Sequence, residues 1–327
     1  LTKNKFAAFG ALFFFICISF VSNFFFQIGT IMAERLLYLP SLGLSVLLVS
    51  SLNMILIKIF ASNFTGDRFF WVIIFILCTV LGSRTVMRNK DWTTSQNLWN
   101  ATIATTDKSF RAYNNRANIF IDKKDFTNAR NDLFKSLEIY KDHYTTTYSI
   151  GRTFDGENSL DSAIKYYTKS IQVKPYFYKS RINRGIDLLI QKEFEKAIKD
   201  FDVCSQLKPH EFFPWFNKAV AYFELQKYKQ SKMAVEKALE IDTNSEKAQI
   251  LLGRIFLEKK NYLEAEKVFK ALPENAETLF YLGYSKILAG EKEESVIMLK
   301  KSIKLYPAVK KTILQAKEFN EIWHLIK

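Results

Sequence analysis

The chain has 327 residues, of which 48% are hydrophobic, 15% aromatic and 24% charged, with a formal net charge of +14. Only six of the 47 basic and two of the 33 acidic residues fall within residues 1–87. A nearly charge-free part joined to an ordinary polar one excludes a single soluble globule, and the high apolar content excludes disorder.

Three stretches of residues 1–87 are long and apolar enough to cross a bilayer, which takes about 20 residues. They are 6–28, 42–60 and 69–87. Lys58 and Arg84 lie near span ends, where a long side chain reaches the headgroups. Between the first two spans runs Met32-Ala33-Glu34-Arg35-Leu36-Leu37-Tyr38-Leu39-Pro40-Ser41-Leu42-Gly43. A charge pair at a span boundary is costly unless paired or near water. Arg35 could hold a lipid phosphate with its planar fork, with Glu34 orienting it and Tyr38 offering a hydroxyl at headgroup level. An interfacial salt bridge with Tyr38 as anchor is the plainer reading.

A period of 34 begins after the last span. Phe126, Leu160, Phe194, Tyr228 and Tyr262 keep that interval. Small residues follow three places later (Ala129, Ala163, Ala197, Ser231, Ala265) and precede by nine (Ala117, Gly151, Gly185, Ala219, Gly253). Two antiparallel helices approach closely only where side chains are small, and Phe120, Phe154, Leu188, Tyr222 and Phe256 fill the space beside them. This is the tetratricopeptide pattern. The repeats fall at 110–143, 144–177, 178–211, 212–245, a shortened 246–275 and 276–309. Residues 88–109 form a junction half-repeat, because Trp92, Ser95 and Trp99 lie one period before Phe126, Ala129 and Leu133. Residues 310–327 read as a capping helix, since the last repeat would otherwise expose an apolar face. The fold class is all-α: three transmembrane helices followed by a tetratricopeptide-repeat solenoid.

Within the repeats, Asn115, Asn183 and Asn217 share one position, where an asparagine ladder would bond a peptide backbone without reading its side chains. The same helices carry Ile182, Ile186, Leu189 and Ile190, then Phe213, Phe216, Val220 and Phe223. An apolar groove marks a partner contact, and Phe216 and Phe223, seven apart on one face, are its expected anchors. The alternative is that some of these side chains belong to the core between repeats. The partner expected in the groove is a protein or peptide.

Three cysteines exclude a disulfide scaffold and a Cys-rich zinc site. Three dispersed histidines suggest no metal, and no glycine-rich nucleotide loop is present. No catalytic residue, metal or cofactor is expected in this chain. The basic charge is scattered over both helices of each repeat, so nucleic acid is not an expected partner and anionic lipid is the better use of it. Asn63-Phe-Thr65 and Asn100-Ala-Thr102 fit glycan acceptors, which matter only in a secretory compartment.

The ERxLYxPSxG string of Glu34–Gly43, with Ser83-Arg84, Asn89-Lys90-Asp91-Trp92 and Leu98-Trp99 at the junction, resembles the transmembrane and tetratricopeptide-repeat family of O-mannosyltransferase-like proteins. The resemblance covers the whole chain in order. It implies the membrane architecture of glycosyltransferases that use polyprenyl-phosphate-linked sugars, with repeats on the exoplasmic side of a bacterial inner or endoplasmic reticulum membrane. It also implies a catalytic acid in a loop far upstream of the motif. With one span before the motif and Leu1 as first residue, the chain is expected to be the C-terminal portion of a longer enzyme, its repeats binding protein substrate or partner. A membrane-anchored, non-enzymatic repeat scaffold is the alternative.

Overall fold

The computed structural model describes residues 90–326 and isolated positions between 51 and 87. The three expected spans, apart from those single positions, lie outside the described residues, as do Glu34, Arg35 and Tyr38. No helix of the described residues is long and apolar enough to cross a membrane. The chain divides into two compact units, Leu1–Leu98 and Trp99–Lys327.

Every regular element among the described residues is helical. A 3₁₀ turn at Lys90–Trp92 precedes α1 (Ser95–Thr105). Helix pairs follow: α2 (Phe110–Asp122) with α3 (Phe126–Ile139), α4 (Tyr144–Gly156) with α5 (Leu160–Val173), and α6 (Tyr178–Ile190) with α7 (Phe194–Leu207). Next come α8 (Phe212–Glu224) with α9 (Tyr228–Ile241), α10 (Glu246–Glu258) with α11 (Tyr262–Lys270), and α12 (Ala276–Leu288) with α13 (Lys292–Leu305). Each first helix also touches the first helix of the next pair, whereas successive second helices approach less closely. The first helices therefore line the tighter, inner side of the solenoid.

Within each pair a small residue on the first helix faces a larger one sixteen places later. Gly151 lies under Tyr167, Gly185 under Phe201 and Gly253 under Phe269, so close that a Cβ there would sit 2.5, 2.6 and 2.4 Å from the ring. Ala117 and Ala219 instead face the aliphatic Leu133 and Val235, and both alanines are fully buried. In the last pair Gly283 meets the aliphatic Leu299 instead, whose Cγ would lie 2.8 Å from a Cβ there. In every case the opposing side chain fills the gap above the small residue at close-packed density.

The turn between paired helices is the same each time. The backbone N–H of Asp125 reaches the Phe120 carbonyl at 2.8 Å and that of Lys124 reaches Ile121 at 2.9 Å, the two bonds of a Schellman C-cap. Its left-handed residue recurs as Lys124, Asn158, Lys192, Gln226 and Lys260, and then as Gly290. The last step is shorter because α11 has nine residues where the other second helices have 14. Pro273 and a capping box between Asn275 and Thr278 restart the chain into α12.

The tail differs from the single capping helix expected. It breaks at Ala316, whose backbone is extended, into α14 (Val309–Gln315), a 3₁₀ stretch (Lys317–Ile322) and α15 (Trp323–Ile326). The break lets Ile313, Phe319, Ile322 and Ile326 join one buried cluster with Leu299, with Phe280, Tyr284 and Ile287 packed against it. One straight helix would turn only a single stripe toward that surface.

A left-handed lysine is strained by its Cβ. Lys192 has φ 62° and its side chain is exposed, so Lys192→Gly should raise stability by about 0.5 kcal/mol in a thermal melt of the chain. Gly290 has φ 89° and open space around it, so Gly290→Ala should cost about 1–2 kcal/mol through backbone strain alone. A neutral Gly290→Ala would contradict the strain argument.

Candidate functional site

The inner helices α6 and α8 carry the apolar side chains singled out in the sequence. Phe213, Ile190 and Ile186 stand 61%, 57% and 38% exposed. Ile182 and Leu189 turn inward onto the Leu188, Ala197 and Phe201 cluster. Phe216 and Phe223 are half-buried and pack against the core formed by Ala219, Val235, Ala248, Leu251 and Ile255. The Phe216 ring stacks on Phe212 at 5.4 Å, and the Arg254 guanidinium lies 4.5 Å above Phe223. The seven-residue spacing puts these two phenylalanines on one face, but that face is directed largely at α10. The exposed aromatic on α6 and α8 is instead Phe213.

The asparagines share their place on α2, α6 and α8, and all three are half-buried. Asn183 is already engaged: its amide donates to the Tyr167 hydroxyl at 3.2 Å. That hydroxyl in turn points at the Asp155 carboxylate, 3.4 Å away. Tyr148 closes the group, its ring centroid 5.8 Å from that of Tyr167.

Beneath them lies Asp187, which sequence reasoning passed over. It is 1% exposed, and its Oδ2 has no hydrogen-bond partner. Burial, with the neighbouring Asp155 charge, pushes its carboxyl up to about 7. Burial also raises Asp155, against the Tyr167 hydrogen bond and the Arg152 charge. The available signal was position: Asp187 lies between Gly185 and Leu188, both of which the 34-residue period assigns to packing.

Forked ion pairs hold the inner helices. Arg116 donates twice to Asp132, at 2.7 and 2.7 Å, and reaches Asn100 on α1 at 2.9 Å. Arg184 does the same two periods later, binding Asp200 at 2.7 and 2.8 Å and Thr168 on α5 at 2.9 Å. Lys218 reaches Asp202 on α7 at 2.5 Å. Asn100, Thr168 and Asp202 are whole periods apart, so α1 meets α2 as α5 meets α6 and α7 meets α8. Arg181 adds a further bond to Asp200, which is buried and satisfied by both arginines. Lys286 occupies the place that Phe120 and its counterparts hold in earlier pairs. Burial opposes its charge, but Glu291, Glu294 and Glu266 outweigh that and hold it above the usual lysine range.

Two observations bear on chemistry. Burial and Asp200 push the Cys204 thiol up to about 12, which leaves it unreactive at neutral pH. Among the described residues no group of His, Cys, Asp and Glu is arranged to hold a metal ion.

The unpaired Asp187 gives a pH test. Its carboxyl holds a proton more tightly in the folded chain than in the unfolded one, so its contribution to stability falls as pH rises from about 4 to about 7. Asp187→Asn should therefore melt above wild type at about pH 8, with the gap narrowing as pH falls below about 7 and closing near pH 4. A gap that does not change with pH would contradict the assignment.

Models of the tetratricopeptide repeat match residues 110–143, 146–177 and 214–245, and a second such model matches 277–308. Protein O-mannosyl-transferase TMTC3 of Homo sapiens is 24% identical over 310 residues, 90% of this chain and 32% of that protein. Human TMTC1, also named a protein O-mannosyl-transferase, is 27% identical over 130 residues, 40% of this chain and 14% of that protein. A solved Pseudomonas aeruginosa pilF structure superposes with a TM-score of 0.53 at 19% identity, covering 67% of this chain and 98% of that one, a likeness of fold. The chain is thus a tetratricopeptide-repeat solenoid homologous to the TMTC3 and TMTC1 protein O-mannosyl-transferases, and it spans about a third of the length of TMTC3.

Proposed function

We propose that this chain is the repeat-bearing portion of a membrane glycosyltransferase of the O-mannosyl-transferase type, and that its solenoid holds an extended segment of a protein substrate or partner. The similarity to TMTC3 over 90% of the chain carries the enzyme half of this reading. The nearly charge-free residues 1–87 form its membrane part, where Glu34, Arg35 and Tyr38 would meet the phosphate of a polyprenyl-linked sugar. The repeats lie on the exoplasmic side in this reading.

The binding half rests on the exposed run of Ile186, Ile190 and Phe213. Apolar side chains on successive inner helices offer an extended peptide pockets for alternate residues. Asn115 and Asn217 lie on the same helices and would bond its backbone, while Phe216 and Phe223 support the wall from behind. The forked arginines keep that wall rigid, which lowers the entropic cost of binding.

A symmetric, labelled peptide Ile-Ser-Phe-Ser-Nle-Ser-Phe-Ser-Ile, with norleucine at its centre, tests the groove without assuming chain direction. Replacing Ile186, Ile190 and Phe213 together by serine should weaken its binding about tenfold or more, because exposed anchors carry affinity. The melting temperature should change little. Phe216→Ala should instead cost about 3 kcal/mol of stability, as a core truncation does. Unchanged affinity in the triple variant would remove the groove from this face.

A further inference from the structure

We propose that the inner face between α4 and α6 contains a subsite for one cationic side chain, a lysine or arginine of the segment lying in the groove. The proposal rests on the groove reading above and adds a chemical requirement to it. It starts from Asp187, a carboxylate 1% exposed whose Oδ2 has no donor. Buried acceptors are almost always satisfied, so an unserved carboxylate oxygen calls for an explanation.

The fold does not supply the missing cation. Arg181 and Arg184 on the same helix are drawn to Asp200. Arg152, on α4, reaches toward Asn118 at 3.4 Å and Asp122 at 3.9 Å. Among the described residues neither Asp155 nor Asp187 forms an ion pair. Two carboxylates are thus brought near one another with no ion pair of their own, the Arg152 charge acting on Asp155 without contacting it, which costs stability unless a further cation is supplied.

The surroundings suit such a group. Asp155 and Tyr148 are the half-exposed members and would admit the cation, with the buried Asp187 beside Asp155. The half-exposed Tyr148 ring, backed by the buried Tyr167 ring 5.8 Å away, is a favourable neighbour for a cation. The Tyr167 hydroxyl, held by Asn183, is a further polar contact. An ammonium has three donors and a guanidinium five, enough for both carboxylates. Ile186, immediately before Asp187 and 38% exposed, sets an apolar contact beside the charge, so the preferred segment pairs a basic residue with apolar ones. Binding requires the ionised carboxylate, and burial sets Asp187 near 7, so affinity for the cation rises across neutral pH. The groups acting on it are Asp155 and Tyr167; Tyr148 and Asn183 adjoin Tyr167, and Arg152 acts on Asp155 and Tyr148.

The experiment compares two labelled peptides on the full chain by fluorescence anisotropy. One is the norleucine peptide used for the groove, and the other has lysine at its centre. The lysine peptide should bind about tenfold more tightly at about pH 8, a preference of about 1.4 kcal/mol. Asp187→Asn and Asp155→Asn should each bring the ratio close to one. Glu195→Gln, an exposed carboxylate on α7, should leave it unchanged. Equal binding of both peptides to wild type, or a preference that survives Asp187→Asn, overturns the subsite and leaves the groove standing. Binding of neither peptide overturns the groove reading and the subsite with it. If Asp187→Asn does not fold, Asp155→Asn alone decides.

Discussion

One contact repeated through the solenoid sets everything else: the second helix of each pair lies directly on a small residue of the first. Where that residue is Gly151, Gly185 or Gly253, the opposing side chain is a ring that leaves no room for a Cβ. Where it is Ala117 or Ala219, the opposing chain is aliphatic. Where it is Gly283, the opposing chain is the aliphatic Leu299, again too close for a Cβ. Each pair is thus closely packed at the same place, and similar pairs stack with a small rotation. That rotation brings the first helices together on the inside and produces an inner face along which Ile186, Ile190 and Phe213 are exposed.

The helical repeat was legible in the interval of 34 and in its small residues, because close approach of two helices constrains residue size at fixed places. The side of a helix on which a given apolar residue works was not. Phe216 and Phe223 satisfy the periodicity of a groove, yet their rings are taken up by Ala248, Leu251 and Arg254 of the neighbouring repeat. The break at Ala316 was hidden for a similar reason: a helix-forming sequence gives way when three separate apolar residues beyond it can each reach the core. Asp187 and Lys286 were invisible as charges in packing positions. Their environments differ in what surrounds them, three carboxylates around the lysine and none but a like charge near the aspartate.

The charged side chains divide into those that build the solenoid and those that it leaves free for use. Arg116 and Arg184 each bridge the second helices of two successive repeats, and Lys218 reaches the second helix of the preceding one, a cation at one register finding an acceptor one helix back. Such pairs, flanked by buried aspartates, fix orientation more than they add stability. Among the described residues they leave Asp155 on α4 and the buried Asp187 on α6 without an ion pair. The proposed groove uses what these pairs leave over: exposed apolar side chains and one carboxylate oxygen, on Asp187, without a donor.

The dependence of the solenoid on the small–large contact is open to a double-mutant cycle at Gly185 and Phe201. Gly185→Ala sets a Cβ 2.6 Å from the Phe201 ring, an overpacking worth about 1–3 kcal/mol. Phe201→Leu shortens the opposing chain toward the alanine–leucine pairing seen at Ala117 and Leu133. Thermal melts of wild type, both single variants and the double variant measure the coupling. The account predicts that the double variant is more stable than the two single losses sum to, by about 1 kcal/mol or more. Losses that add to within about 0.5 kcal/mol would contradict it, because the two positions would then not share one gap.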